Sequence, residues 1–350
     1  MLQVPMKSFL LFAVFVFGSL AQVSCSKSDG PGEIAPTNLQ VSAVVSNDGS
    51  GNVAFTATAD NAVSYDYEFG NGDVQTVPSG SVVYRYTQVG TLTYSVTVTA
   101  KSVHGLTAKK SIQVTVTVNA TAPKLIWADE FNVDGAPDAT RWGYDLGGGG
   151  WGNAELQYYT SRTENVIVQQ GVLKIKAIRE SYGGYEFTST RLLSKGKFDF
   201  KYGRVEARAK LPAGVGTWPA IWMLGSDIST VGWPACGEID IMEHRGSDPN
   251  RIYGTLHYPG RSGGNADGST KLISNATTEF HTYSVDWTAS YIKIYVDDQL
   301  YHTVVNSSSI PFNHNFFLII NLAMGGTFGG TVDPSFTSAT LEVDYVRVYR

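Results

Sequence analysis

Leu341-Glu342-Val343-Asp344-Tyr345-Val346-Arg347-Val348 sets apolar side chains against charged ones in near alternation. Successive side chains of a strand leave opposite faces, so the run predicts a β-strand with one face in a core and the other in water. Val205-Glu206-Ala207-Arg208-Ala209-Lys210 and Tyr291-Ile292-Lys293-Ile294-Tyr295-Val296 repeat the pattern. No stretch holds a helical period for more than two turns. Many antiparallel strands over residues 124–350 predict a large two-sheet sandwich, a jelly roll.

Toward the N-terminus the composition changes. Residues 37–118 are rich in Thr and Val, hold no Trp, and alternate in short runs such as Val53-Ala54-Phe55-Thr56-Ala57 and Thr93-Tyr94-Ser95-Val96-Thr97-Val98. Turn signals, Asn47-Asp48-Gly49 and Asn71-Gly72-Asp73 among them, recur at the spacing of a β-sandwich. Tyr67-Glu68-Phe69-Gly70-Asn71-Gly72-Asp73, followed by Tyr86 and the strand from Gly90 to Val98, resembles the PKD domain, whose signature reads Trp-Asp-Phe-Gly-Asp-Gly. Tyr67, Glu68 and Asn71 depart from that signature. The resemblance implies an immunoglobulin-like sandwich and says little about function. The expected fold is therefore all-β: an immunoglobulin-like (PKD) β-sandwich over 37–118, a linker at 119–123, and a concanavalin-like jelly roll over 124–350.

The leader is read from Lys7 and the apolar run Phe9 to Phe17, which is too short to span a bilayer. It gives a signal peptide at 1–24 and a flexible tether at 25–36. Val23-Ser24-Cys25 resembles the lipobox of bacterial lipoproteins, with Gln22 in place of the preferred Leu. Lipidation at Cys25 would make this an exported lipoprotein of the outer membrane or cell surface; cleavage after Ala21 would leave it secreted and soluble. With Cys25 acylated, Cys236 is the one remaining cysteine and no internal disulfide forms.

Charged residues are 16% of the chain, against about 25% in average soluble proteins. The net charge is −5 and aromatics are 12%. An acidic balance argues against nucleic acid as partner and leaves membrane contact to a lipid anchor alone. All seven Trp residues lie beyond the linker. A neutral partner with faces that rings can stack on suits this content.

The chemistry concentrates in Gly237-Glu238-Ile239-Asp240-Ile241-Met242-Glu243-His244. Glu238 and Asp240 share one face. Strict alternation would bury Glu243 beside the isoleucines, at a cost of several kcal/mol. A β-bulge at Ile241-Met242 returns it to the face of Glu238, placing three carboxylates on one solvent-facing strand. Such carboxylates repel, so at least one should hold a proton near neutral pH, as glycoside hydrolysis requires. Glu238 would attack the anomeric carbon, Glu243 would protonate the leaving oxygen, and Asp240 would tune Glu238. Spacing alone allows a retaining or an inverting separation. It also leaves open a plain solvated face, or a divalent metal held with His244, which alternation points away from Glu243.

Tyr202-Gly203-Arg204 through Leu211-Pro212, Trp218-Pro219-Ala220-Ile221-Trp222-Met223-Leu224, and Trp233-Pro234-Ala235-Cys236-Gly237 running into Glu238 resemble glycoside hydrolase family 16, laminarinase branch. Trp151 to Thr160, Asn321-Leu322-Ala323-Met324-Gly325-Gly326 and Val343 to Tyr349 match further blocks in order. The resemblance spans Leu125 to Arg350. It implies a concave cleft, net retention, Glu238 as nucleophile, Asp240 as assisting acid and Glu243 as acid/base. It also implies that Trp218 and Trp233 line the sugar site, with Trp222 close by, and that Asn153, Arg191, Arg204 and Asn321 bond sugar hydroxyls. His257 is implied near Asp240 in a supporting role, and Trp127, Trp142 and Trp287 are assigned to the core. No cofactor serves catalysis. A structural calcium is implied at Glu130 and Gly171, through their carbonyls, and at Asp344. The expected protein is a monomeric endo-acting β-1,3-glucanase, or one tolerating mixed β-1,3/1,4-glucan. An agar hydrolase and a non-catalytic carbohydrate-binding protein are the alternatives.

Overall fold

The computed structural model describes residues 34–120 and 123–350. The leader, Cys25 and residues 26–33 of the tether lie outside the described residues. Residues 37–118 form seven strands in two sheets. One sheet orders Thr37–Val45, Asn52–Asp60 and Ser81–Arg85; the other orders Val74–Val77, Ser64–Glu68, Gly90–Lys101 and Thr107–Val118. Val53, Phe55, Tyr67, Phe69, Val96, Val98, Val114 and Val116 fill the space between them, while the alternate Thr residues stay outside.

The remaining residues build a ten-stranded and a seven-stranded sheet, almost wholly antiparallel, stacked face to face. Val205, Ala207 and Ala209 of the larger sheet meet Ile221, Met223, Ile239, Leu318 and Ile320 of the smaller in one continuous core. Trp142 and Trp287 are buried there and Trp127 packs against its edge, as expected. Among the described residues the two α-helices are four residues each, Ile228–Val231 and Gly326–Gly329.

The final strand, Ser338–Tyr349, is less regular than its sequence suggests. Arg208 pairs with Tyr345 but Ala209 pairs with Val343, so Asp344 is an extra residue in the ladder. This bulge reverses the inward face midway, putting Leu341 and Val343 and then Val346 and Val348 all into the core.

The smaller sheet runs Asp267–Leu272, Arg251–His257, Glu238–His244, Thr217–Gly225, Phe316–Met324, Arg191–Leu193, Gly143–Asp145. Its outer face carries the cleft described next. The acidic strand is third in that order, supported on both sides.

Candidate active site

Gly237, at φ +73°, turns the chain out of the Trp233 loop and into the acidic strand. A Cβ there would also crowd the carbonyl oxygen of Pro311 and the Phe316 ring. The predicted bulge is present. Ile221 pairs with Met242 but Trp222 pairs with Asp240, and on the other edge Asp240 opposes Thr255 while Glu243 opposes Tyr253. Ile239, Ile241 and Met242 are fully buried, and Glu238, Asp240 and Glu243 emerge together. One expectation needs correction. The carboxylate face is not a solvent-facing surface: Asp240 is only 3% exposed, and all three acids lie on the floor of a cleft of about 790 Å³.

Enclosure sets their electrostatics. Burial, then repulsion from Asp240, pushes Glu238 up to about 8, against the opposing pull of His257 and Arg191. Burial and the Glu243 charge hold Asp240 far above its usual range. Burial raises Glu243 as well, partly offset by the indole N–H of Trp218. Three carboxylates so close cannot all ionise, and the protons they retain are shared among them.

The walls come from neighbouring strands and loops. Trp218 donates its indole N–H to Glu243 Oε1 at 3.0 Å, and Trp233 donates to Glu238 Oε2 at 3.0 Å. Trp233 is otherwise 48% exposed and presents its ring to the cleft. Trp222 donates to Asn321 Oδ1 at 2.8 Å, and Asn321 in turn donates to the Tyr159 hydroxyl. Arg191 lies over the Trp151 and Trp222 rings and pairs with Asp145 at 3.1 Å. Asn153 donates to Glu155. His257 Nε2 sits 3.2 Å from Asp240 Oδ2 and 3.7 Å from Glu238 Oε1. Asn153, Arg191, Trp218, Trp222, Trp233, His257 and Asn321 thus line one cleft with the three acids.

Arg204 does not. It belongs to the strand Gly203–Lys210 of the larger sheet, where it donates to Glu206 (2.7 Å), Asp286 (3.0 Å) and Asp298 (2.6 Å). Its partners are carboxylates of its own strand, of the adjoining strand and of the turn at Asp298, so it holds the far sheet together rather than meeting a sugar. Conversely, Trp151, Glu155, Thr255 and Phe328 line the cleft without having been singled out. Glu155 accepts from Asn153, Gln157 and Tyr159. The polar alternation Asn153, Glu155, Gln157, Tyr159 was the sequence signal for that network.

Glu238, Asp240 and His257 bring ligand-type atoms within 4.8 Å of one another, so a metal must be considered. His244 takes no part; it is buried, with Nε2 at the Pro249 carbonyl. A ligating histidine ordinarily donates from its second nitrogen. Here His257 Nδ1 accepts instead, from the backbone N–H of Gly263 at 3.1 Å. The cluster is arranged for proton chemistry rather than for metal binding.

Glu130, Gly171 and Asp344, with Tyr345, Arg347 and residues between 75 and 83 of the N-terminal sandwich, line a separate cavity of about 20 Å³. Burial raises the Asp344 carboxyl, against the Arg208 guanidinium 2.5 Å away. Glu130 accepts two bonds from Arg347, whose side chain also lines the cavity.

Comparison with known proteins agrees with this geometry. Residues 153–347 match the model of the glycosyl hydrolases family 16. A beta-glucanase of Rhodothermus marinus is 49% identical over 244 residues, covering 65% of this chain and 85% of that protein. A glucan endo-1,3-beta-glucosidase of Cryptopygus antarcticus is 41% identical over 248 residues, covering 64% and 90%. The crystal structure of a non-specific endo-beta-1,3(4)-glucanase of family 16, SCLam, superposes with a TM-score of 0.63 at 45% identity, covering 66% of this chain and 95% of that one.

Proposed function

Because the chain belongs to glycosyl hydrolases family 16, we propose that it is an endo-acting, retaining β-glucanase that hydrolyses β-1,3-glucan or mixed β-1,3/1,4-glucan. The observation that carries the reading is the bulged strand: it presents Glu238 and Glu243 on one cleft floor, each with its own indole N–H donor.

A glucan chain lies along the cleft with sugar faces against Trp233, Trp222 and Trp218, while Asn153, Arg191 and Asn321 meet its hydroxyls. Glu238 must first release the proton it holds in the free cleft; Asp240 keeps its own, so the charge then formed on the nucleophile meets no second charge beside it. The Glu238 carboxylate then bonds to the anomeric carbon as the glycosidic C–O bond breaks, and Glu243 gives its proton to the departing oxygen. Glu243, now ionised, takes a proton from water. The water oxygen displaces Glu238 from the anomeric carbon, and two inversions leave the β configuration. No cofactor enters these steps.

Reducing-sugar release from laminarin and lichenan, but not agarose, tests the substrate class. Binding without release would support a carbohydrate-binding protein instead. Glu238→Gln should abolish release, and activity surviving that change removes Glu238 as nucleophile. NMR of the first-formed product should show the β-anomer; the α-anomer would refute retention.

We further propose that residues 37–118 are a PKD-type spacer, on the strength of the Tyr67–Asp73 signature. The Val23-Ser24-Cys25 motif supports export and anchoring at a bacterial surface through lipidated Cys25. Labelled palmitate incorporated by the full chain and lost in Cys25→Ala tests the anchor. Glu130, Gly171, Asp344 and the cavity they share support a structural calcium, which would tie neighbouring strands of the larger sheet together and add no chemical step. A Tm lowered by chelator and restored by calcium tests it.

A further inference from the structure

The mechanism above leaves one hydrogen bond without a task, that between Gly263 and His257. His257 ends the strand Arg251–His257 and turns Nε2 toward Asp240 and Glu238. Asp240 Oδ2 is buried and has no hydrogen-bond partner among the described residues, although His257 Nε2 stands 3.2 Å from it. On the other side of the ring, Nδ1 faces the backbone N–H of Gly263 at 3.1 Å. A backbone N–H can only donate, so Nδ1 must offer its lone pair and the ring hydrogen must sit on Nε2.

We propose that Gly263 is a positioning residue whose backbone N–H locks His257 as the Nε2–H tautomer, turning the ring hydrogen toward the Asp240 carboxylate, with Glu238 just beyond hydrogen-bond reach. The proposal rests on the catalytic reading of those two acids. In this tautomer His257 cannot accept a proton from either carboxylate at Nε2, so the shared protons of the cluster stay on the acids. It also has no free lone pair at Nε2 for a metal ion, which would otherwise find two carboxylates and an imidazole in reach.

The loop is built to aim that N–H. Tyr258 and Arg261 exchange two backbone hydrogen bonds of 2.8 Å, and Asn265 donates its side-chain amide to the Gly260 carbonyl. Gly263 then takes φ +56°, a left-handed conformation suited to glycine. Gly263 and Gly264 also form part of the cleft wall. The segment that lines the cleft is therefore the segment that sets the histidine.

The test is a long-range ¹⁵N–¹H correlation spectrum of the histidine rings in the full chain, with His257 assigned by its loss in His257→Gln. We expect a hydrogen on Nε2 and a bare Nδ1. A hydrogen on Nδ1, in the other tautomer or in the imidazolium, overturns the proposal. Kinetics give a second reading. His257→Gln keeps an amide N–H where Nε2–H lies and should lose about tenfold or less in kcat, whereas His257→Asn, whose amide falls short, should lose about a hundredfold. Equal losses overturn it. The spectrum does not depend on turnover, so it stands apart from any failure of the glucanase assignment, which Glu238→Gln reports.

Discussion

Replacing Glu238 by Gln should make the protein more stable in mild alkali while making it inactive. Glu238 titrates at about 8 in the fold, against 4.5 when unperturbed, because burial and then Asp240 oppose its charge. The folded protein therefore keeps a proton that the unfolded chain releases above pH 4.5. A carboxyl raised in this way contributes its full stabilisation below pH 4.5 and loses it as pH climbs to 8. Each pKa unit corresponds to about 1.4 kcal/mol, so the window of 3.5 units is worth on the order of 5 kcal/mol. The Glu238 side chain is 16% exposed, which leaves little solvent screening to subtract. A glutamine in its place would carry no charge at either end of the window. The variant should match wild type near pH 4.5 and exceed it by that amount at pH 8.5, roughly 10 °C in Tm for a domain of this size. Thermal melts of both proteins across pH 4.5–8.5 supply the comparison. A gap that stays constant with pH, or closes as pH rises, would refute the account of the cleft floor.

Trp218→Phe removes the N–H that favours ionised Glu243, so the basic limb of the kcat profile on laminarin should move up by about 0.5–1 pH unit. A limb that stays put or moves down would show the bond has no hold on the acid. Gly254→Ala should lower stability by about 1–3 kcal/mol in denaturant titration, because a Cβ there overlaps the Tyr301 hydroxyl behind the bulge. Adding Tyr301→Phe should recover part of that loss. Arg204→Ala should cost about 3 kcal/mol by stranding the buried carboxylate of Glu206, with KM for laminarin unchanged. A raised KM would return Arg204 to the sugar site.

The bulge in the acidic strand was legible because Glu243 is charged, and a misplaced charge declares itself against a core of isoleucines. The bulge at Asp344 was not, since Tyr345 suits either face and nothing in Leu341–Val348 is forced to move. Arg204 failed for a related reason. Alternation assigns it to the polar face of its strand, but does not say whether that face belongs to the cleft sheet or the far one. The partners that settle it, Asp286 and Asp298, are remote in the chain. Trp218, Trp222 and Trp233 were found through their nearness to the acids. The hydrogen-bond partners of Trp218 and Trp222 became visible only once cross-strand pairing had brought Asn321 and Glu243 to opposite sides of Thr217–Gly225.

Trp218 and Trp233 each touch a different glutamate through the indole nitrogen. Indole emission responds to the electric field across the ring, so a charge gained or lost at either carboxylate is written into the light the protein emits. Of the five other tryptophans, Trp142 and Trp287 are sealed in the core, while Trp151 and Trp222 line the same cleft and add to the signal. A titration followed by intrinsic fluorescence, with Trp218→Phe and Trp233→Phe as single-channel controls, would let the two acids be watched separately. The protein thus carries, without labels, an optical gauge of the protonation states on which its chemistry depends.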